Sequence, residues 1–239
     1  SNREIPGILE SFGYKNIKKM GTELDVLPYN HFIRYQKLFP DTIFEDISPL
    51  IKEVKAIKSP YEIELLRDAL KVIDAAHRAV PSFLRAGMRE IELAALFEAE
   101  MRKRGYSGCC KMRAFNQDLF LGNTCSGIGA LAPSFFDGPV GGLGVSASHP
   151  HGAGWKKVER NEPVYIDYTC VINGYTGDQT RMFCIGELSP VMLKAYEDAL
   201  FIQSEILKVM RPGTPAEKPH ILALEIAEEL GYKDSFMGH

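Results

Sequence analysis

The sequence lacks the marks of a disulfide-stabilised, membrane-spanning or nucleic-acid-binding protein. Its 239 residues include five cysteines, an odd number without a C-x-x-C pair, which favours reduced thiols and a cytoplasmic location. No apolar run approaches the roughly 18 residues that cross a membrane. A formal charge of −3 offers no general attraction to nucleic acid or anionic lipid. We therefore expect a cytoplasmic globular protein with neither nucleic acid nor membrane as a partner.

The segment from Tyr165 to Phe183 is typical of a β-hairpin, and it carries two carboxylates. Its Asn173-Gly174 pair predicts a type I′ turn, in which both central residues need a positive φ. A two-residue loop then places Asp167 and Asp178 on one face, as diagonal neighbours roughly 7 to 8 Å apart at the backbone. The predicted pairs on this face are Asp167 with Thr180 and Thr169 with Asp178.

Two interpretations of these acids compete. Carboxylates on a hairpin face are commonly just solvated. The flanks are apolar, however, so the hairpin is expected to be largely buried, where carboxylates need a cation or hydrogen-bond partners. The apolar flanking residues are Val164, Ile166, Val171, Ile172 and Met182. Metal binding by Asp167 and Asp178 is therefore the preferred interpretation.

Helix signals are strongest after Ser59-Pro60, where Glu62 completes a capping box. Apolar residues then recur at three- and four-residue steps, which predicts one stripe facing a core. That stripe consists of Ile63, Leu66, Leu70, Ile73 and His77. A second helix is predicted from about Met88 to Arg104, and a third from Ser189-Pro190 to about Met210.

The first and third helices open two segments with the same order of signals. In each, Ser-Pro is followed by Asp-Ala-Leu, Arg-x-Gly and Gly-Tyr, the last at Gly105-Tyr106 and at Gly231-Tyr232. This order predicts two helix-helix-sheet units related by pseudo-twofold symmetry, an α+β fold with an antiparallel sheet covered by helices. Seven residues follow Tyr232. The second unit is therefore expected to be truncated, and the chain to be an excerpt of a longer polypeptide.

The duplication and the aspartate hairpin together resemble the pita-bread metallohydrolases: Xaa-Pro aminopeptidases, prolidases, methionine aminopeptidases and creatinase. A strand end is predicted at 17–23 and a short helix at 31–39, and both are expected to belong to a separate domain that precedes the catalytic one. Residues 20–48 resemble the end of the creatinase-type N-terminal domain. V-K-A-I-K-S-P-Y-E, from Val54, resembles the start of the catalytic domain. The implied fold is the α+β pita-bread fold. Residues 1–55 would be the C-terminal part of a creatinase-like N-terminal domain, and 56–239 a pita-bread metallopeptidase domain that is incomplete at its C-terminus.

In this family the metal ligands follow the order Asp, Asp, His, Glu, Glu. The resemblance assigns the first two to Asp167, in I-D-Y, and Asp178, in D-x-T-R. It assigns the histidine to His239, in Gly-His, and places the glutamates beyond it. Such an oxygen-rich set implies two divalent ions in the complete protein, with manganese preferred and cobalt or zinc as other occupants.

The family's catalytic histidine precedes the first aspartate in a Pro-His context. His151, in Pro-His-Gly, is the candidate, and His149 is the runner-up. Two loop histidines without a role are the alternative. The surrounding region departs from the family pattern, because 146–149 replaces its Gly-x-Asn segment and 138–144 is unusually rich in glycine. This departure leaves substrate preference open.

The resemblance implies a homodimeric enzyme that cleaves the bond between an N-terminal residue and proline, by attack of metal-activated hydroxide. Its partner would be a peptide with proline at the second position. One alternative is a creatinase-like amidinohydrolase. Another is a non-catalytic pita-bread binding module, which would have no need of the metal triad Asp167, Asp178 and His239.

Overall fold

The computed structural model describes residues 2–113, 118–119, 121–134 and 140–236. The α-helices within these ranges are α1 (Ile5–Ser11), α2 (Tyr29–Leu38), α3 (Ser48–Ala56), α4 (Pro60–Phe83), α5 (Glu90–Lys103), α6 (Pro190–Val209) and α7 (Glu217–Glu229). The strands are β1 (Lys19–Thr22), β2 (Ile43–Asp46), β3 (Cys110–Lys111), β4 (Asp118–Leu119), β5 (Gly122–Ser126), β6 (Val164–Ile172) and β7 (Tyr175–Phe183). Across these ranges, none of the helices combines the length and apolar character needed to cross a membrane.

The N-terminal part forms its own small sheet, because β1 pairs in parallel with β2. The predicted strand end and the predicted helix at 31–39 are confirmed as β1 and α2. Strand β2 was not predicted, since its four residues lack an alternating apolar pattern. Helix α3 ends at Ala56 and α4 begins at Pro60, so a short irregular segment joins the two parts of the chain.

Local signals fix the start of α4. Ser59 Oγ accepts a hydrogen bond from the amide of Glu62 (3.3 Å), and Glu62 Oε2 accepts one from the amide of Ser59 (2.7 Å). This reciprocal pair is the predicted capping box, which satisfies two amides that the helix itself leaves unpaired. Ser189 likewise accepts from the amide of Met192 at the start of α6 (3.3 Å).

The buried face of α4 differs from the predicted stripe. Ile63 and Leu70 are 39% and 40% exposed. The buried residues of this helix are Leu65, Ala69, Ile73, Ala76, His77 and Val80. The predicted stripe was wrong in part because it followed the large side chains, whereas the buried face also includes the small residues Ala69 and Ala76.

The main sheet is antiparallel, in the order β5-β6-β7, and helices α4 and α5 cover one of its faces. Alternate residues of β6 point into this interface, and the ring of Tyr168 lies 4.8 Å from that of Phe97. The buried core consists of Ile73, Ala76, Val80, Leu93, Phe97, Met101, Tyr106, Val158, Val164, Ile166, Tyr168 and Cys170. The core therefore lies between helices α4 and α5 and one face of the sheet, and the opposite face of the sheet is not covered by these helices.

The two predicted units end their helix pairs in the same way. Gly105 and Gly231 both have a positive φ, of 99° and 85°. The amide of Tyr106 donates to the carbonyl of Met101 (3.2 Å), as the amide of Tyr232 donates to that of Ala227 (2.7 Å). Helices α6 and α7 pack around their own small cluster, centred on Ile202, Ala223 and Ala227. The internal repeat is thus present in the backbone of both helix pairs.

His77 on α4 predicts a pH dependence of stability. Burial lowers its pKa from 6.5 to about 4, although its Nε2 lies 3.2 Å from the carbonyl oxygen of Gln179. Between these pH values the unfolded chain binds a proton that the folded protein does not. The free energy of unfolding should therefore fall by roughly 3 kcal/mol as pH drops from 6.5 to 4. Urea titrations at several pH values would measure this, and His77→Phe should flatten the slope; an equal slope in the variant would contradict the assignment.

Candidate functional site

The aspartate hairpin has the predicted register. Asn173 and Gly174 both have a positive φ, of 50° and 83°, as a type I′ turn requires. The confirmed pairs are Asp167 with Thr180 and Thr169 with Asp178. The two carboxylates therefore lie on one face of the β6-β7 ladder, on adjacent strands.

The hairpin buries only one of its faces, so the expectation of a largely buried hairpin is wrong. Val164, Ile166 and Cys170 are fully buried against the helices. On the other face Asp167 is half-buried and Asp178 is exposed. An apolar sequence cannot reveal which face of a sheet is covered, because the covering elements come from elsewhere in the chain.

The carboxylates influence each other electrostatically. Although Asp178 is exposed as a residue, the protein atoms around its carboxyl group and then the negative charge of Asp167 raise its pKa above 3.8. Thr180 Oγ1 donates a hydrogen bond to Asp167 Oδ1 (2.6 Å), which orients that carboxylate. A cation between the two groups would relieve their repulsion, and carboxylate oxygens are the ligands that hard divalent ions prefer.

The third predicted ligand, His239, lies outside the described residues. Among the residues that the structure does describe, no group of three or more His, Cys, Asp or Glu side chains is arranged to hold a metal ion. The structure therefore brings together Asp167 and Asp178. These two fit a divalent cation in charge and in donor type.

The two candidate histidines differ in burial. His151 is only 3% exposed, whereas His149 is exposed, and their ring centroids lie 6.2 Å apart. Burial and, secondarily, His149 lower the pKa of His151 below 6.5, while the charge of Asp167 opposes this shift. The His151 imidazole is thus neutral near pH 7 and lies within electrostatic reach of the aspartate face.

The glycines of the preceding stretch allow the histidine segment to fold back on itself. The amide of Gly144 donates to the carbonyl of Gly152, and the amide of Gly152 donates to that of Gly141, both at 3.1 Å. Gly142 has a φ of 117°, and a Cβ there would lie 2.3 Å from the carbonyl oxygen of Gly152. A side chain at this position would therefore push the two backbones apart.

Asn123 is a residue beside the candidate site that the sequence did not reveal. It is fully buried on β5, directly opposite Asp167 on β6. Its Nδ2 donates to the carbonyl of Gly141 (2.8 Å), which ties the glycine-rich stretch to the sheet. Strands β5 and β6 are separated by about 40 residues along the chain, so no local sequence pattern predicts that they pair.

Comparisons with known proteins agree with this architecture. The model of Metallopeptidase family M24 matches residues 64–239, and that of the Creatinase/Prolidase N-terminal domain matches residues 1–57. An Xaa-Pro dipeptidase of Pyrococcus furiosus is 28% identical over 94% of this chain and 58% of its own length. An uncharacterised peptidase of Bacillus subtilis is 27% identical over 97% of this chain and 57% of its own.

Solved structures give the same result. An X-Pro aminopeptidase of Thermotoga maritima superimposes with a TM-score of 0.80 at 26% identity, covering 97% of this chain and 58% of that one. A prolidase of Pyrococcus furiosus gives a TM-score of 0.76 at 27% identity, covering 99% and 61%. The chain thus spans about three-fifths of the length of these four relatives. The predicted pita-bread fold with a creatinase-like N-terminal region is confirmed, and the chain belongs to metallopeptidase family M24.

Proposed function

We propose that the whole protein is a metal-dependent aminopeptidase or dipeptidase that cleaves the bond between an N-terminal residue and proline. The observation that carries this proposal is the pair of carboxylates, Asp167 and Asp178, on one face of a hairpin beside the buried His151. The chain's relatives include proteins described as Xaa-Pro dipeptidase and X-Pro aminopeptidase. Both the site and the family favour hydrolysis of a peptide bond.

The proposed metal ligands within this chain are Asp167, Asp178 and His239. Two divalent ions, with manganese preferred, would lower the pKa of bound water and polarise the scissile carbonyl. Thr180 holds Asp167 in a fixed orientation through its 2.6 Å hydrogen bond. In the metal-free site the negative charge of Asp167 destabilises ionised Asp178. A bound cation would neutralise that charge and so favour the ionised form of Asp178.

The proposed role of His151 follows from its burial and lowered pKa. A neutral imidazole carries a proton on one ring nitrogen and a lone pair on the other. The ring can therefore donate its N–H to the carbonyl oxygen as negative charge develops there, or hold a proton on the way to the leaving amine. His149, which is exposed, is the less favourable candidate for either task.

The wider assignments are also proposals. We assign residues 1–55 to a creatinase-like N-terminal domain and residues 56–239 to the pita-bread domain, in line with the ranges that the two family models match. The partner is a peptide with proline at its second position, and the assembly is a homodimer. All five cysteines are free thiols, which supports a cytoplasmic location.

Turnover by the complete manganese-loaded protein tests the proposed function. Xaa-Pro dipeptides, longer Xaa-Pro peptides and creatine would be compared, with matched Xaa-Ala peptides and chelator-treated protein as controls. We expect hydrolysis of the Xaa-Pro bond that disappears on chelation and returns with manganese. No turnover of any peptide would overturn the proposal, and turnover of creatine alone would replace it by an amidinohydrolase.

A further inference from the structure

Glu90 is a buried carboxylate outside the proposed metal and histidine residues. It is the first residue of α5 and only 2% exposed. Its Oε1 accepts hydrogen bonds from the amide (2.7 Å) and Oγ (2.9 Å) of Ser126, and its Oε2 accepts one from the amide of Gly154 (3.2 Å). Three hydrogen bonds at the positive end of a helix stabilise a charge that is otherwise costly to bury.

The two partners of Glu90 belong to the two elements that border the candidate site. Ser126 is the last residue of β5, the strand that pairs with β6 alongside Asp167. Gly154 lies three positions after His151 on the histidine segment. A single carboxylate therefore joins the strand beside the first aspartate to the segment that carries the histidine.

The backbone around Glu90 reinforces this connection. The amide of Glu90 donates to the carbonyl of Lys156 (2.9 Å), and the amide of Ile91 donates to that of Gly154 (3.1 Å). Lys156 Nζ in turn donates to Ser126 Oγ (3.0 Å) and to Glu162 (2.7 Å). The histidine segment is thus anchored three to five residues after His151, by hydrogen bonds to the first turn of α5 and to Ser126 at the end of β5.

We propose that Glu90 is a positioning residue that sets the place of His151 relative to the aspartate face. Both carboxylate oxygens accept hydrogen bonds at the same time, one from Ser126 and the other from Gly154. Glu90 therefore fixes the distance between the end of β5 and the histidine segment. The catalytic consequence rests on the proposed function. The positional consequence does not, since it concerns the metal-free fold alone.

Glu90→Gln tests this inference. A glutamine amide can direct its oxygen towards Ser126 or towards Gly154 but not both, and its NH₂ then faces another donor. Glu92→Gln is the matched control: Glu92 is exposed in the same helical turn, where its Oε2 accepts from the amide of Arg89 (2.9 Å), and it loses the same charge. Ser126→Ala, which removes only the hydroxyl donor, is a milder second variant if Glu90→Gln does not fold.

Two readouts do not depend on activity. Hydrogen exchange of residues 150–158 should become several-fold faster in Glu90→Gln. The modification rate of His151 by diethyl pyrocarbonate, resolved from His149 by mass spectrometry, should rise by a similar factor. Ser126→Ala should give smaller changes in the same direction and Glu92→Gln none. Unchanged exchange and modification in both Glu90→Gln and Ser126→Ala would overturn the proposal.

Kinetics separate positioning from simple destabilisation. In the complete metal-loaded protein, kcat of Glu90→Gln should fall about 10- to 100-fold with little change in KM, since a small misplacement of a catalytic group acts mainly on the transition state. An equal kcat per folded molecule would leave Glu90 a merely structural residue and overturn its positioning role. If the wild-type protein hydrolyses no peptide, the proposed function fails, whereas the exchange and modification results still decide the position of His151.

Discussion

Replacing Asp178 by asparagine is expected to remove bound metal and, with it, peptide hydrolysis. The amide keeps the size of the side chain but offers one neutral oxygen in place of a charged pair, which is a poor ligand for a hard divalent ion. We expect kcat/KM of the complete protein to fall by more than about 100-fold, which exceeds the usual effect of losing an outer partner of a metal ligand. Elemental analysis of the purified variant would measure the metal content directly.

Asp178→Asn is not expected to destabilise the metal-free fold. Because the protein atoms around its carboxyl group and the charge of Asp167 raise the pKa of Asp178, its ionised form is less stable in the metal-free fold than in the unfolded chain. The apo variant should therefore be at least as stable as apo wild type, while the rise in melting temperature that metal gives the wild type should disappear. Loss of stability without metal would indicate that Asp178 has a structural role in the hairpin.

Two further substitutions serve as comparisons for Asp178→Asn. Thr180→Val removes the hydrogen bond to Asp167 but leaves both acids in place. Its metal affinity should therefore fall by about 10- to 100-fold, with metal still bound at high metal concentration. Asp68→Asn on α4 removes one negative charge from an exposed ion pair with Lys71 and should leave metal content unchanged. Unchanged metal stoichiometry in Asp178→Asn itself would refute its assignment as a ligand.

The features that could be predicted from the sequence are those determined by neighbouring residues. A two-residue turn at Asn173-Gly174 sets the register of the whole hairpin, and with it the shared face of Asp167 and Asp178. The capping box at Ser59 likewise involves only four consecutive residues. In both cases the backbone geometry is decided locally, so no knowledge of the packing around it is needed.

The features that could not be predicted depend on contacts between distant segments. Asn123 lies opposite Asp167 only because β5 pairs with β6, and Glu90 contacts the histidine segment only because the start of α5 lies against it. Neither residue belongs to a local motif that signals its role. The buried face of α4 was predicted wrongly in part for a related reason. Which side of this helix is buried depends on how it packs against β6 and β7, and the buried side includes Ala69 and Ala76.

Replacing His151 by glutamine should slow catalysis while leaving the metal in place. Glutamine is polar and of similar length, but it cannot take up a proton, so kcat should fall by about 10²- to 10⁴-fold if the ring acts as a general acid or base. None of the proposed ligands changes, and metal content should therefore equal that of the wild type. A parallel loss of metal would place His151 among the ligands instead.

The pH dependence of this variant distinguishes a catalytic ring from a structural one. Burial lowers the pKa of His151, so its neutral form persists below pH 6.5 and is lost only on further acidification. If the neutral ring is required, kcat/KM of the wild type should fall with decreasing pH in that range, and the part of this fall that belongs to His151 should be absent from His151→Gln. His149→Gln is the decisive comparison, because this second histidine is exposed and only two residues away. Should His149→Gln abolish turnover and His151→Gln preserve it, the two roles would be exchanged, and burial would have been the wrong guide to which ring meets the substrate.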